Sequence, residues 1–392
     1  MNQATRLARV IVRQIIEAGI TDAVISPGSR NAPLSLALVT AQDLGLIKLH
    51  IRIDERTAAF FALGIAKATH RPVPVICTSG TAVANYHPAV LEASHSNIPL
   101  FVITADRPAE LRRTGANQTT EQARIFGKAV RYFADVSGAV YPLELPLNAL
   151  QTGPVHLNVQ FEEPLIGELD WVEPLSSGMP EVAEQMEPMA RPLESYETHG
   201  VILVGHDRAG IPISEIELLS NKLGWPILSE DPLSSNKVIP HASLLLGNQQ
   251  RRELLKPKIA MVIGRLTLSR SINSYLELAD YKIIVDSRIG EIDTARNGDE
   301  IHLALPEVAQ QKIDTEWIEL FNEASAAIHS KVSTHLKSWS EPAVVSEFVA
   351  QLPASSALFV ASSRPIRDIE NFASPRADLE TFANRGLAGI DG

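Results

Sequence analysis

Residues 47–64 read IKLHIRIDERTAAFFALG, and within this stretch the pattern of a strand gives way to the pattern of a helix. From Ile47 to Ile53 apolar residues alternate with polar ones, as in a β-strand, whereas the Ala-rich residues that follow are typical of a helix. Glu55 lies at the junction. A carboxylate at such a junction is partly desolvated and held in place, so we expect it to exchange a proton with a bound heterocycle.

Two loops rich in Gly and Ser flank this junction in the sequence. They are SPGSRN at 26–31 and TSGTA at 78–82, and each follows a short apolar strand and precedes a helix. A further polar turn, Asp106-Arg107-Pro108, follows the next apolar strand. In parallel α/β sheets ligands bind beyond the carboxyl ends of the strands, so these loops and Glu55 together predict a ligand crevice.

Strands and helices alternate from the N-terminus to residue 160. Strands are predicted at 23–25, 47–53, 73–77, 100–105 and 155–159, and helices around 34–40, 57–69 and 82–93. Mostly apolar strands that alternate with helices predict an α/β fold of parallel sheets with helices on both faces. The strand at 47–53 is the exception, because its polar positions leave one face for solvent or a partner.

The composition changes after this first pattern. From Glu162 to about Thr198 the chain is rich in Pro, Glu, Ser and Met without a sustained period, which is typical of an interdomain linker. Later strands are predicted at 201–204, 227–228, 259–263, 282–285 and 357–361, with helices at 214–223 and 314–339. We expect a first domain at residues 1–180, a linker at 181–198, a central α/β domain at 199–338 and an incomplete third domain at 339–392. The third domain begins near Ser340, a predicted N-cap.

The bulk composition argues against several classes of protein. A formal charge of −11 does not suit a nucleic-acid surface, which needs a basic stripe. The longest apolar runs are strand-sized, so we expect no membrane span. The N-terminus is amphipathic and lacks the features of a secretion signal. The single cysteine, Cys77, fits a reducing cytoplasm, and at the end of an apolar strand it is expected to be a packed core thiol.

Motifs along the whole chain resemble one enzyme family. They are ISPGSRNAPL at 25–34, DER at 54–56, CTSGTAVAN at 77–85, TADRP at 104–108, GANQ at 115–118, SSRPIRD at 362–368 and ANRGLAGIDG at 383–392. In this order they resemble the thiamine-diphosphate-dependent synthases of menaquinone biosynthesis. The resemblance implies that the first domain binds the pyrimidine of the cofactor, and that the third is the start of a diphosphate-binding domain.

The same resemblance implies a role for individual residues. Glu55 is the implied catalytic residue, which hydrogen-bonds N1′ of the aminopyrimidine and controls its tautomer. The implied cofactor-binding residues are Glu55, Gly28, Thr78, Gly80, Asn117 and Ile390, and the implied substrate-binding residues are Ser29, Arg30, Arg107, Gln118, Arg270, Ser363, Arg367 and Arg385. The implied cofactors are thiamine diphosphate and Mg²⁺, but the family's metal motif lies beyond Gly392, so Asp391 is not expected to be a metal ligand.

The implied reaction joins two acidic substrates. 2-Oxoglutarate loses carbon dioxide, and the remaining succinyl unit adds to isochorismate in a 1,4-addition. Each substrate is a di-acid, and arginine meets a carboxylate with two parallel charge-assisted hydrogen bonds, which accounts for arginines in the loops of an acidic chain. The family works as a homodimer or a dimer of dimers, with each cofactor between two chains. Because the family's metal motif lies beyond Gly392, we expect residues 1–392 alone to be inactive.

Alternatives to this assignment stay open. An acetolactate-synthase-like enzyme or a 2-oxoacid decarboxylase shares the glutamate, and an incomplete third domain also permits a non-catalytic assembly module. A nicotinamide dehydrogenase has little support, because no G-x-G-x-x-G follows Val204-Gly205-His206. At the second substrate, the family often has Lys-Arg where this chain has Ser269-Arg270, so Arg265 is an alternative to Arg270. His87 is interpreted as a structural histidine rather than a base.

Overall fold

The computed structural model describes residues 2–138, 144–167, 193, 198–288, 293, 295–387 and 389. The chain divides into two compact units. The first comprises Met1–Gln185 with Gly386–Ala388 and Gly392, and the second comprises Met186–Arg385 with Gly389–Asp391. Most of the predicted linker, at 181–192 and 194–197, lies outside the described residues, as do Ile390 and Asp391. The boundaries of the predicted domains stay a prediction.

The first unit is built on a parallel sheet. Within the described residues its strands are β1 Asp22–Ile25, β2 Lys48–Ile51, β3 Val73–Cys77, β4 Leu100–Asp106, β5 Tyr132–Val136 and β6 Val155–Gln160. Their order across the sheet is β2-β1-β3-β4-β6-β5, and every neighbouring pair is parallel. The helices are α1 Gln3–Glu17, α2 Ala32–Asp43, α3 Glu55–Thr69, α4 Thr81–Asn85, α5 His87–Ser96 and α6 Leu147–Leu150.

Both faces of this sheet carry an apolar core, because successive side chains of a strand point to opposite faces. Ile25 and Ile76 pack with α1 and α2 in one core, and Val24 packs with α3 and α5 in the other. Cys77 belongs to that second core, where it is fully buried. Burial raises the pKa of its thiol far above the ordinary value. The predictions of a two-faced parallel sheet and of a core thiol are both confirmed.

Three details of the first unit differ from the prediction. One helix was expected over 82–93, but α4 and α5 are separate because Pro88, in the first turn of α5, has no N–H for a continuous helical ladder. The strand β5 was not predicted. The strand β2 forms the edge of the sheet and ends at Ile51 rather than Ile53, and its exposed residues are Lys48 and the apolar Ile51, whereas His50 is half-buried.

The second unit contains another parallel sheet. Its described strands are β7 Gly200–Val204, β8 Ile227–Ser229, β9 Ile259–Ile263, β10 Tyr281–Val285 and β11 Glu300–His302, in the order β11-β10-β9-β7-β8. The helices around it are α7 Ile213–Leu223, α8 Ala242–Leu245, α9 Gln249–Leu254, α10 Arg270–Leu276 and α11 Thr315–His335. Alternate residues of β7 enter opposite cores, Leu203 with Trp317 and Ile202 with Trp225.

The chain then forms α12 Glu341–Gln351, β12 Ala357–Val360, α13 Arg364–Phe372 and β13 Glu380–Ala383. β12 and β13 pair in parallel, and a small core of Val349, Val360 and Ile366 lies beneath them. Ser340 is the N-cap of α12, as predicted: its hydroxyl accepts the N–H of Ala343 at 3.4 Å. No helix in the described parts of the chain is long and apolar enough to span a bilayer.

Candidate active site

The loop after β1 packs tightly against the loop after β3. A Cβ placed on Gly28 would fall 2.4 Å from the Cβ of Thr78 and 2.9 Å from Asn31 Oδ1, so only glycine fits. Asn31 is buried, and its Nδ2 donates to the carbonyl of Ser26 at 2.9 Å, which pins the loop to the end of its strand. Ser29, between these anchors, is exposed. The predicted neighbours Gly28 and Thr78 therefore do meet.

Glu55 is the first residue of α3, and its environment favours an available carboxylate. Asp54 caps the helix by accepting the N–H of Thr57 at 2.8 Å, which leaves Glu55 half-buried in the first turn. The positive end of the helix stabilises a negative charge at this position. Among the described residues no group donates a hydrogen bond to Glu55. The carboxylate is therefore oriented by its helix and open to a ligand.

Buried polar groups lie within electrostatic range of this carboxylate. Burial raises the pKa of Tyr86 well above its ordinary value, and the charges of Cys77 and Glu55 raise it further. A side-chain hydrogen bond with Ser26 opposes this shift, and Asn31 Oδ1 is buried without a hydrogen-bond partner in the described part of the chain. Ser26 and Asn31 both belong to the loop after β1, so a hydrogen-bond acceptor is left over in that loop.

Gly80 and Gln118 join the loop after β3 to the segment after β4. Gly80 has φ +83° and Gln118 has φ +54°, both in the left-handed region. Ser79 Oγ donates to the Gln118 carbonyl at 2.9 Å, and Gln118 Nε2 donates back to the Ser79 carbonyl at 3.0 Å. Asn117, beside this pair, is exposed. The reciprocal bonds hold the two predicted site segments together.

Arg107 adds a cation to the same place. Its Nη1 donates to Ser79 Oγ and to the Gln118 carbonyl, each at 2.7 Å. Arg30 donates to the Phe161 carbonyl at 2.9 Å and pairs with Glu163 at 3.3 Å. Burial and the charge of Arg30 lower the pKa of Arg107. Two guanidinium groups that repel each other in this way favour an anion as a ligand.

The site residues predicted in the second unit are less closely grouped. Arg367, on α13, is exposed and its Nη1 donates to the Ser363 carbonyl at 3.0 Å. Ser363 precedes α13 with φ +75°, a strained backbone for a residue other than glycine. Arg385 is buried, and its Nη2 donates to the Thr267 carbonyl at 2.7 Å. Arg270, at the start of α10, is exposed.

The two arginines considered for the second substrate differ in their surroundings. Arg265 Nη2 lies 3.8 Å from Asp207 Oδ2. Arg288 Nη1 is closer to the same oxygen, at 2.5 Å. Arg270 makes no hydrogen bond or ion pair with any residue that the structure describes. His87, the histidine interpreted as structural, packs edge-on against Phe126 with ring centroids 5.5 Å apart.

A buried polar network supports the first group of residues and was not predicted. Arg112 bridges Asp106 and Asp135, each at 2.7 Å, and Asn158 donates to both carboxylates. Gln122 connects Asn158 to the N–H of Gly80. The signal in the sequence was polar residues inside apolar strands, namely Thr104 in β4 and His156 and Asn158 in β6. Such residues are buried only with hydrogen-bond partners.

Comparison of the chain with known proteins shows the family to which it belongs. Residues 5–125 match the model of the N-terminal TPP binding domain of thiamine pyrophosphate enzymes, and residues 171–360 match the middle domain of thiamine pyrophosphate enzymes. A protein of Thermobifida fusca, named 2-succinyl-5-enolpyruvyl-6-hydroxy-3-cyclohexene-1-carboxylate synthase, is 38% identical over 422 residues, covering 100% of this chain and 75% of the relative. This chain belongs to that synthase family.

Two further relatives, at lower identity, carry the same name. Proteins with the same name from Geobacillus kaustophilus and Haloarcula marismortui are 36% and 32% identical, covering 98% and 100% of this chain and 74% and 76% of their own lengths. The chain therefore spans about three quarters of the synthases that it matches. The resemblance seen in the motifs is confirmed, and so is the α/β fold with thiamine-diphosphate-binding domains.

The residues of the first unit fit the pyrimidine part of thiamine diphosphate. An aminopyrimidine presents a ring nitrogen and an amino group, and the available carboxylate of Glu55 suits such a ligand. Gly28 leaves no room for a side chain between its loop and Thr78, so the two loops stay in close contact at this end of the sheet. Among the described residues there is no cluster of three or more His, Cys, Asp or Glu side chains that suits a metal ion, so no ligand is assigned to Mg²⁺.

Proposed function

We infer that this protein catalyses the synthase reaction of its family in menaquinone biosynthesis. 2-Oxoglutarate is decarboxylated, and the succinyl unit is transferred by 1,4-addition to isochorismate, giving 2-succinyl-5-enolpyruvyl-6-hydroxy-3-cyclohexene-1-carboxylate. The reaction depends on thiamine diphosphate with a divalent metal ion. The observation that carries this conclusion is an available carboxylate, Glu55, which follows β2 at the end of the sheet where β1 and β3 carry the two glycine loops, in a chain that matches the synthases over all of its residues.

We propose that Glu55 is the catalytic acid–base group of the chain. Bound thiamine diphosphate supplies the carbon nucleophile and electron sink that amino-acid side chains lack. Glu55 holds a proton in a hydrogen bond to N1′ of the pyrimidine and thereby selects the tautomer. Its place at the start of α3 supports this role, since the helix orients the carboxylate and stabilises it when ionised.

We propose the remaining roles as the resemblance implies them. Gly28, Thr78, Gly80 and Asn117 border the cofactor, as does Ile390, which lies outside the described residues. The substrate carboxylates bind to Ser29, Arg30, Arg107, Gln118, Arg270, Ser363, Arg367 and Arg385. The charge of Arg30, which lowers the pKa of Arg107, supports an anionic ligand in the first unit. In a chain of net charge −11, such local cations are needed to attract a di-acid.

We also propose the assembly, location and domain roles of the protein. A homodimer or a dimer of dimers is favoured by the edge strand β2, where Ile51 is 57% exposed and the following Ile53 is 85% exposed. A cytoplasmic location is favoured by the single, buried cysteine. The proposed pyrimidine-binding, central and diphosphate-binding domains begin at residues 1, 199 and 339. The negative net charge disfavours nucleic acid as a partner.

A Glu55→Gln variant of the full-length enzyme tests the function. Product formation from 2-oxoglutarate and isochorismate is measured against pyruvate as the alternative donor, together with exchange of the C2 proton of the cofactor by NMR. Loss of general acid–base catalysis is expected to slow exchange by about 10²- to 10⁴-fold. Glu215→Gln is the matched control, since Glu215 is also a first-turn acid, on α7. Exchange near the wild-type rate would remove Glu55 from this role, and preference for pyruvate would refute the substrate assignment.

A further inference from the structure

Gln122 is a fully buried amide that joins three separate segments of the first unit. Its Oε1 accepts the N–H of Gly80 at 3.2 Å, in the loop after β3. Its Nε2 donates to the carbonyl of Ala105 in β4 at 3.1 Å and to Oδ1 of Asn158 in β6 at 2.8 Å. Both ends of one side chain are therefore occupied, and one of the partners is the backbone of a glycine loop in the candidate active site.

The direction of these hydrogen bonds is set by an ion cluster. Asp106 and Asp135 accept hydrogen bonds only, because each carboxylate faces the Arg112 guanidinium, which can only donate. Asn158 therefore turns its Nδ2 toward them, at 3.0 and 2.9 Å. Its Oδ1 is left to accept, and it receives Gln122 Nε2. If the amide of Gln122 were flipped, its Oε1 would face the Ala105 carbonyl and Asn158 Oδ1, which are both acceptors. Its Oε1 must therefore point at the N–H of Gly80.

The loop held by this bond carries several candidate site residues. Gly80 has a left-handed backbone, and Ser79, directly before it, exchanges hydrogen bonds with Gln118. Arg107 donates to both Ser79 and Gln118. These contacts link Gly80 through Ser79 to Gln118 and to the Arg107 guanidinium. A shift of the Gly80 amide would therefore move all of them.

We propose that Gln122 is a positioning residue for substrate binding. The ion cluster of Arg112, Asp106 and Asp135 orients Asn158, Asn158 orients Gln122, and Gln122 holds the Gly80 amide in the arrangement that presents Arg107 and Gln118 to a substrate carboxylate. Gln122 makes no contact with Glu55 and takes no part in proton transfer. The inference rests on the proposed function, because that function makes Arg107 and Gln118 ligands of the substrate.

A Gln122→Met variant of the full-length enzyme tests the proposal, because Met keeps the length and volume of Gln but removes both hydrogen-bonding ends. The KM for an acidic substrate is expected to rise about tenfold or more, as the loss of a buried hydrogen bond predicts. C2 proton exchange, measured with saturating cofactor because Gly80 also borders the cofactor, is expected to stay within about twofold of wild type. Thr104→Val is the control. Thr104 Oγ1 donates to the same Asn158 Oδ1 at 2.8 Å but does not touch the glycine loop. This variant is expected to lose stability and keep its KM.

The outcomes separate the two proposals. If Gln122→Met keeps the wild-type KM, or if Thr104→Val raises the KM equally, the positioning role is wrong although the enzyme function stands. If the wild-type enzyme does not convert 2-oxoglutarate and isochorismate, the proposed function itself fails. Hydrogen exchange of the Gly80 amide in the wild-type protein gives a test that needs no variant. Protection comparable to that of β3 supports the proposal, and exchange at the rate of an exposed loop overturns it.

Discussion

Gly28 and Thr78 lie so close together that a Cβ at position 28 would fall 2.4 Å from the Thr78 Cβ. The two loops that carry these residues follow β1 and β3, which are adjacent and parallel in the sheet. Real Cβ atoms do not approach to this distance, so any larger residue at position 28 must move one of the loops. The close approach of the loops therefore depends on the absence of one methyl group.

We predict that Gly28→Ala separates the two loops and destabilises the fold by about 1 to 3 kcal/mol, the usual cost of overpacking. Urea denaturation measures the change in the free energy of unfolding. Gly64→Ala is the control, because Gly64 lies inside α3 with no atom near its added Cβ. Alanine is preferred in a helix by about 1 kcal/mol, so the control variant should be as stable as wild type or more stable. Equal stability of Gly28→Ala and wild type would contradict the packing of the loops.

Arg112 is predicted to be essential for the stability of the first unit. Its ion pairs with Asp135 and Asp106 raise the pKa of the guanidinium. Burial opposes ionisation of Asp135, but hydrogen bonds from Arg112 and Asn158 outweigh it and lower the pKa of that carboxyl. Arg112→Met would leave the buried carboxylate of Asp106 and the half-buried carboxylate of Asp135 without a cation, at a cost of about 3 to 5 kcal/mol at pH 7.

The pH dependence of this variant provides a second measurement. A lowered pKa means that the stability which Asp135 contributes is present above the ordinary pKa of aspartate and is lost as the pH falls. The difference between Arg112→Met and wild type should therefore shrink below about pH 4, as the pH falls toward the lowered pKa of Asp135. Arg113→Met is the adjacent control, since its side chain is 82% exposed and pairs with Glu121 at the surface. It should change the unfolding free energy by less than about 1 kcal/mol.

Glu370 is predicted to make the second unit less stable as the pH rises. It lies on α13, 4% exposed, with one carboxyl oxygen that lacks a hydrogen-bond partner in the described residues. Burial raises its pKa from 4.5 to about 7, and the charge of Glu230 contributes, whereas Ser243, Ser269 and Arg367 oppose the shift. Glu230 itself accepts the N–H groups of Thr267, Leu268 and Ser269.

The sign of the effect follows from this pKa. The folded state binds the proton of Glu370 more tightly than the unfolded state, so stability is highest below about pH 4.5 and falls by about 3 kcal/mol by pH 7. Glu370→Gln should remove this loss and be more stable than wild type at pH 8, with little difference near pH 5. Glu347→Gln, on the exposed surface of α12, is the control. Thermal unfolding at several pH values would contradict the prediction if both variants followed the wild-type profile.

Arg107→Lys is predicted to weaken substrate binding although it preserves the charge. One guanidinium nitrogen of Arg107 serves both Ser79 Oγ and the Gln118 carbonyl, which leaves the others for a ligand. Lysine has one compact ammonium group and no planar fork to meet a carboxylate. The KM for an acidic substrate should rise about tenfold, with a smaller effect on kcat. Arg113→Lys should leave both constants unchanged, and an unaltered KM in Arg107→Lys would argue against a bidentate contact.

Much of the fold was predictable because it depends on local patterns. The strands β3 and β9 were predicted residue for residue, since each is a buried apolar run between polar turns. The strands β5 and β11 were not predicted, because they are short, partly exposed edge strands. Asp135 also interrupts the apolar pattern of β5, and the ion pair with Arg112 that accounts for it is not visible in the local sequence.

The amino-acid sequence by itself determined the alternating strands and helices, the two glycine loops, the position of Glu55 at the start of a helix, and the family. These features depend on neighbours within a few residues, whose periods and turn preferences are encoded locally. Only the tertiary structure decided which polar atoms meet. Gln122 reaches Gly80 over 42 residues and Asn158 over 36, and such pairings form because a buried amide must satisfy its donors and acceptors wherever the folded chain supplies them.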